Sequence, residues 1–426
     1  MQQHVCVITP TADTGGLPAA RGERAVILAG IVLLAVGLRP AVTSLGSVLG
    51  QVEAELALAG WLSSLLTTLP VLCFAAVGAI THQLTHRFGL HRVAFLALVA
   101  IAAGGGVRAA ADSAAVFTVA TTLALAGMAI GNVALPPLVK LHFPDRIPTV
   151  TAIYSCALLT GASVPAGLTV PVSDAAGSWR WGLGMWAMAA AVAAVPWLLL
   201  LRHDVHDVND VNGAAKTTLT PGRLVRSSLA WTMAVFFATQ SAQAYAQFGW
   251  LPTIYADAGL SPTAAALMLT ITTAVGVPAP LVLPLYARRT TDHRPLVVAF
   301  AGLTMTGLTG LLLAPTTTPW LWAGCLGLGG VAFPWLLAML ALRTRTPAGT
   351  AALSGFVQSV GYLLAVVGPL GAGLLRAATG GWTVPLLVLL SLTVPMLVTG
   401  LLVARPRLLE DELAITHPGR PRRSNA

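Results

Sequence analysis

Charge is scarce in this sequence. Of 426 residues, 9% are Asp, Glu, Lys or Arg and 56% are hydrophobic. A soluble domain carries about 25% charged residues, so this chain cannot cover a folded surface with charge in water. Its natural solvent is lipid. Cysteine is also rare. Cys6, Cys73, Cys156 and Cys325 have no CxxC spacing, which excludes a disulfide framework or a zinc site. HExxH, GxSxG and an intramembrane aspartate pair are all missing, so no enzyme, cofactor or metal chemistry is expected. Residues 1–24 lack the basic start, apolar middle and small-residue cleavage site of a signal peptide.

Long apolar runs fill the rest of the chain. A membrane span needs about 20 apolar residues. Twelve runs qualify, at roughly 25–49, 57–80, 92–111, 114–139, 148–172, 179–201, 229–254, 263–286, 295–314, 319–341, 350–375 and 382–403. With the N-terminus placed in the cytoplasm, 20 of the 24 Lys and Arg residues fall in cytoplasmic segments. Only Arg108, Arg180 and Arg376 fall outside, and Arg39 lies within a span. That bias puts both termini in the cytoplasm of a bacterial cell, at its plasma membrane. The net charge of +9 is thereby a topology signal facing the inner leaflet, and no nucleic-acid partner is expected.

The expected organisation is a disordered tail (1–24), a six-helix half (25–201), a cytoplasmic linker (202–228), a second six-helix half (229–403) and a tail (404–426) bearing Glu410-Asp411-Glu412. In the linker His203 and His206 alternate with Asp204, Asp207 and Asp210; a solvated connector explains them better than a metal site. The halves echo each other. "GNVALPP" at 131–137 in the fourth span matches "GGVAFPW" at 329–335 in the tenth, and "LSSLLTT" at 62–68 in the second is echoed by "LMLTITT" at 267–273 in the eighth. The fold class is therefore an all-α membrane protein of twelve helices in two pseudo-symmetric halves, the major facilitator architecture. In that architecture a solute site lies between the halves near the midplane.

Polar residues within spans are costly and mark such sites. No Asp, Glu or His lies deep in any run, which leaves proton coupling open: an edge carboxylate such as Asp174 or Asp257, a proton carried by the solute, or uncoupled exchange. One fixed charge, Arg39, stands some 14 residues into the first span, followed by Pro40. Arginine at a helix centre costs about 2.5–3.5 kcal/mol on insertion scales and cannot escape by deprotonation. Pro40 frees the carbonyl of Val36 and biases Arg39 away from helical geometry. With no buried acid, Arg39 must be met by oxygen dipoles, water or an anion.

Other polar groups are expected at matching depth. Gln240, Gln243 and Gln247 share one face of the seventh span, with Tyr245 among them. Half-to-half alignment places Gln243 opposite Arg39. Asn132 is the only asparagine in a span, and Gln358 and Tyr362 are four apart on the eleventh. Together these suit a small anion or compact polar molecule. Pro40, Pro136 and Pro334 are the backbone hinge candidates.

"LRPAVTSLG", "LLTTLPVLCFA", "GNVALPPLVK…FP", "QSAQAY…WLPTIY…AGLSP" and "ALRTRTPAGTAALSGFVQSVGYLLAVVGPLGAGLL" resemble the cyanate and 2-nitroimidazole porter family of the major facilitator superfamily (the CynX/NimT group), in order from about residue 28 to 400. The resemblance implies a transporter of small nitrogenous solutes. It maps Arg39 and Pro40 onto the family's Leu-Arg-Pro, and Asn132 and Pro136 onto Gly-Asn-Val-x-x-Pro. Gln240 and Ser241 match its Gln-Ser, and Gln358 with Tyr362 match Gln-x-x-Gly-Tyr. Tyr245 fills the family's tyrosine after Gln-Ser approximately. The superfamily's loop between the second and third spans reads "HRFGLHR" here, with His86 in the acid's place; Arg87, Gly89 and Arg92 remain as gate-loop candidates. The expectation is a monomeric transporter of a small solute in the bilayer, working by alternating access. A multidrug exporter is the nearest alternative and a non-transporting sensor a more distant one.

Overall fold

The computed structural model describes residues 21–201, 221–290 and 292–415. Most of the expected N-terminal tail, the His/Asp run of the linker and the end of the C-terminal tail lie outside them.

Among the described residues the chain is helical throughout, with no strand. The first span is Arg21–Leu38 continued by Pro40–Leu56; the next five are Gly60–Phe88, Leu90–Ala109, Ala114–His142, Ile147–Ala175 and Trp179–Leu200. The seventh is Ser228–Asp257, the eighth Pro262–Ala274 with Ala279–Arg289, and the ninth Arg294–Leu313. The tenth is Pro319–Gly330 with Ala332–Leu342, the eleventh Pro347–Ala365 with Val367–Thr379, and the twelfth Thr383–Ser391 with Thr393–Ala404. Eleven of these are long and apolar enough to cross a membrane on composition alone. The seventh is the exception. Its glutamines, serine and threonines lower its hydropathy, and 21 of its 30 residues are buried in protein rather than offered to lipid.

A proline follows each break in the second half, although others, such as Pro70, Pro165 and Pro252, lie inside unbroken helices. A proline cannot donate to the carbonyl four residues back. The first segments of the eighth, tenth, eleventh and twelfth spans end at Ala274, Gly330, Ala365 and Ser391. Each is four residues before a proline: Pro278, Pro334, Pro369 and Pro395. Pro334 lies in the first turn of the segment that follows such an interruption. Pro136 does not: the fourth span runs unbroken through it.

With twelve crossings, both ends of the described chain lie on one face, the termini face; the opposite is the far face. The halves meet where the first span packs on the seventh, the second on the eleventh and the fifth on the eighth. Between Arg39 and the far face these contacts are backbone-close. A Cβ on Gly46 would strike the Phe248 carbonyl, one on Gly373 would strike Ser64, and one on Gly249 would lie 2.7 Å from Thr67 Cβ.

Each half is clasped at the far face. Arg180 pairs with Glu55 at 2.9 Å and Asp112 at 3.0 Å, while Trp179 Nε1 donates to Glu55 at 2.6 Å. In the second half Arg376 and Trp382 Nε1 both donate to Asp257, each at 2.8 Å. The carboxylates thus tie the first span of each half to its last. Leu409–Ile415 is a short helix docked on the termini face. Glu412 accepts the Leu229 amide at 3.2 Å, and Glu410 accepts those of Arg345 and Thr346 at 3.0 and 3.3 Å. Carboxylates at the helix N-termini of the seventh and eleventh spans complement their dipoles.

Candidate functional site

Arg39 occupies the break in the first span, with φ −90° and ψ −24°, and Pro40 opens the next segment. Pro40 takes away the partner of the Val36 carbonyl, and Gly161 of the fifth span lies directly against that carbonyl, where any Cβ would collide. Thr43 and Ser44 turn their hydroxyls back to the carbonyls of Arg39 and Pro40, so they stabilise the bend rather than face a solute. Arg39 itself is half-buried at mid-span. Its Nη1 donates to Tyr245 Oη at 3.3 Å across the interface between halves. No carboxylate pairs with it among the described residues.

Around that contact stands a wall of rings. Phe74 stacks on Tyr362 with centroids 4.7 Å apart and planes 10° from parallel. Tyr245 meets Tyr362 edge-on at 6.3 Å and Phe248 at 5.6 Å. Phe237 closes the other edge of Tyr362 at 4.8 Å, backed by Phe333. Such offset-stacked and edge-to-face geometries hold ring faces rigidly. The result is a guanidinium presented beside flat aromatic surfaces and two phenol hydroxyls.

The structure brings Arg39, Tyr245 and Tyr362 together. Gln358, one turn from Tyr362 toward the termini face, is half-buried and donates to Ser354 Oγ at 2.7 Å. Asn132 is half-buried one residue beyond Gly131, which packs on Leu34 and Leu38 of the first span.

Gln240 and Gln243 are not brought to Arg39. Gln243 and Tyr245 are two residues apart, hence about 200° apart around the helix. Tyr245 faces the first span, so Gln243 faces the other way and offers Nε2 to Met396 Sδ of the twelfth span at 3.9 Å. Gln240 and Gln243 are 5% and 3% exposed, with both amide oxygens unpartnered. The place opposite Arg39 that alignment gave to Gln243 belongs to Tyr245.

In the gate loop, Gly89 links the second and third spans at φ +86°, a left-handed conformation that favours glycine. Arg87 is exposed and lies over the Phe88 ring at 5.5 Å. Arg92 is exposed on the first turn of the third span. The edge carboxylates are also placed: Asp257 is committed to Arg376 and Trp382, while Asp174 accepts from Thr263 at 3.5 Å.

Two features escaped the sequence. Phe74 and Phe248 carry no mark that separates a site wall from a core or lipid-facing ring. Arg108 was counted with the far-side loops, but it is 1% exposed and its Nη1 donates to the Ala41 carbonyl at 2.9 Å. Arg39 is therefore not the only charge within the bundle.

The Major Facilitator Superfamily model matches residues 26–369. The chain belongs to that superfamily. It is 32% identical over 390 residues to the 2-nitroimidazole transporter of Escherichia coli (strain K12), covering 90% of this chain and 97% of that protein. To the cyanate transport protein CynX of the same organism it is 29% identical over 353 residues, covering 83% and 90%. It groups with these cyanate and 2-nitroimidazole porters. Among solved structures, the nucleoside transporter NupG superposes with a TM-score of 0.72 at 13% identity, covering 90% of this chain and all of that one, which is a likeness of fold. The protein is a multi-pass membrane transporter with the twelve-helix, two-half architecture.

Proposed function

We propose that this transporter moves a small, flat anion or small nitrogenous solute through the site at Arg39 by alternating access. One observation carries the reading: a permanent charge at mid-span, between the halves, is met by a phenol hydroxyl and no acid. Arg39 supplies charge and hydrogen bonds. Tyr245 and Tyr362 supply hydroxyls and ring faces, and Asn132 and Gln358 line the approach from the termini face. A cyanate- or nitroimidazole-like solute fits that chemistry, since a planar group can stack on a ring while an acceptor meets the guanidinium. The narrow aromatic wall disfavours a bulky drug.

The far-side glycine contacts support a conformation closed on that side, with Arg39 reached from the termini face. The positive-inside bias makes the termini face cytoplasmic, in a bacterial plasma membrane. The transporter acts as a monomer, because each chain contains both halves of the site.

The test is uptake and counterflow in proteoliposomes with cyanate, nitrate, formate and a set of azoles, at several imposed pH gradients. The reading expects exchange of at least one panel member, and its loss in Arg39→Ala. Wild-type protein that exchanges none of them, or full exchange by Arg39→Ala at normal membrane levels, ends it.

A further inference from the structure

Arg108 lies in the last turn of the third span, on the stripe Ala97, Ile101, Gly104 and Arg108 that recurs every three or four residues. That stripe packs on the fourth span: a Cβ on Gly104 would lie 2.6 Å from both the Ala120 carbonyl oxygen and the Ala124 amide nitrogen. A long helical side chain leans back toward the N-terminus of its helix. The Arg108 guanidinium accordingly drops toward the level of Gly104, where it reaches the Ala41 carbonyl of the first span at 2.9 Å. Thr121, between Ala120 and Ala124, stands at the same level and is 0% exposed.

Both residues have donors with nothing to bond. Arg108 Nε and Thr121 Oγ1 are buried without a partner. Among the described residues no carboxylate pairs with Arg108: Glu55 and Asp112 pair with Arg180, and Asp174 accepts from Thr263. A guanidinium cannot shed its proton, and a buried charge is costly unless it is paired or fully hydrogen-bonded; buried Arg343 has two carbonyl partners, whereas Arg108 has the Ala41 carbonyl and an unpartnered Nε. Gly104 is packed directly on Ala120 and Ala124 at this level, helix against helix, so the site suits only something small. A fixed positive charge with a free N–H and a nearby free O–H, in a site of that size, is a receptor for a small monoanion.

We propose that the N-terminal half holds a resident small inorganic monoanion, of chloride size, between Arg108 and Thr121. It is a separate site from the solute site. Arg39 reaches across to the seventh span, whereas Arg108 approaches the first span from the third. The anion neutralises Arg108, and through the Ala41 carbonyl it steadies the first span two residues beyond the break that carries Arg39. This inference does not depend on which solute is transported.

The test uses the purified full-length protein in detergent, exchanged into sodium gluconate. Two readouts need no substrate: thermal unfolding during a sodium chloride titration, and chloride released on denaturation, measured by ion chromatography. Wild type is expected to release about one chloride per chain or to gain thermal stability saturably with added chloride. Arg108→Met should abolish both responses, and Thr121→Val should raise the half-effect concentration about fivefold or more. Arg39→Met should leave both unchanged. Wild type that neither releases nor responds to chloride overturns the proposal, as does an undiminished response in Arg108→Met. A response lost in Arg39→Met but kept in Arg108→Met assigns the anion to the solute site instead and also overturns it. Should Arg108→Met not fold, Thr121→Val decides alone: an unchanged half-effect concentration rejects the site.

Discussion

The two halves share a fold and divide the chemistry. The N-terminal half brings the positive charge at mid-span, the half-buried Arg39 at its helix break, with the buried Arg108 behind it. Across the interface the C-terminal half answers with neutral groups, the hydroxyls and rings of Tyr245 and Tyr362. Pseudo-symmetry survives where structure alone is at stake, as in the two far-face clasps, where a Trp N–H and an arginine grip one carboxylate in each half. It lapses at the centre. Under the proposed function a solute at Arg39 would meet charge from the N-terminal half and the Tyr245 and Tyr362 rings of the other, with Phe74 of the first half stacked behind Tyr362, so rocking the halves apart would break one set of contacts.

That division can be broken in order of severity. Removing the charge should matter most. Arg39→Ala is expected to lower transport at least about a hundredfold while the protein still reaches the membrane, because a charged hydrogen-bonded contact contributes about 1.5–3 kcal/mol and more where water is excluded. Arg39→Lys should recover little, since a point charge lacks the planar fork. Near-normal uptake by either variant would contradict the charge assignment.

Next comes the seam. Gly46→Ala puts a methyl into the Phe248 carbonyl, so the far-closed state should lose population. A Ser64→Cys reporter, buried in the parent, should then react with a membrane-impermeant maleimide about tenfold faster. Equal labelling in both backgrounds would show that the seam does not gate. A milder change is Tyr245→Phe, which keeps the ring and deletes the hydroxyl. About 1.5 kcal/mol, or roughly tenfold in KM with kcat little altered, is expected; an unchanged KM would remove Tyr245 from the site. Gln243→Leu should be the quietest of the transport variants, within about twofold of wild type, because its amide faces Met396. A loss as large as that of Tyr245→Phe would restore the glutamine face to the pathway.

The smallest effect concerns pH. His293, buried at the termini face, is held below the ordinary histidine range by burial and by the nearby Arg343 guanidinium, with Asp292 opposing. A depressed pKa favours the neutral folded form, so its contribution to stability is present above about pH 6.5 and declines as pH falls through that value. His293→Gln should flatten the drop in thermal stability between about pH 7 and 5; an identical profile would discount His293.

Much of this was legible in the chain. Run lengths gave twelve crossings, and loop charges gave the orientation now proposed. Arg39-Pro40 stood out because charge and proline are each expensive in a span. Tyr362 and Gln358 stand out by their spacing and again by a motif, and Tyr245 by its place among the glutamines, with only an approximate motif match. The glutamines misled because one shared face says nothing about which neighbour that face meets. Phe74 stayed hidden because the sequence does not separate its ring from an ordinary core ring. Arg108 was misread because position along a span was taken as depth. Its side chain leans back into a bundle whose first span, 18 plus 17 residues in two segments, is far longer than the 20-residue third.

By itself the sequence determined composition-driven properties: membrane residence, helix number, two related halves, the break at Arg39-Pro40 and the one conspicuous mid-span charge. These follow from transfer energies and backbone chemistry, which act residue by residue. Only the tertiary structure decided who meets whom: Tyr245 rather than Gln243 at Arg39, the ring wall, the glycine seam and the buried, uncompensated Arg108. Those depend on helix rotation and inter-half register, which close packing of the whole bundle sets and no single span encodes.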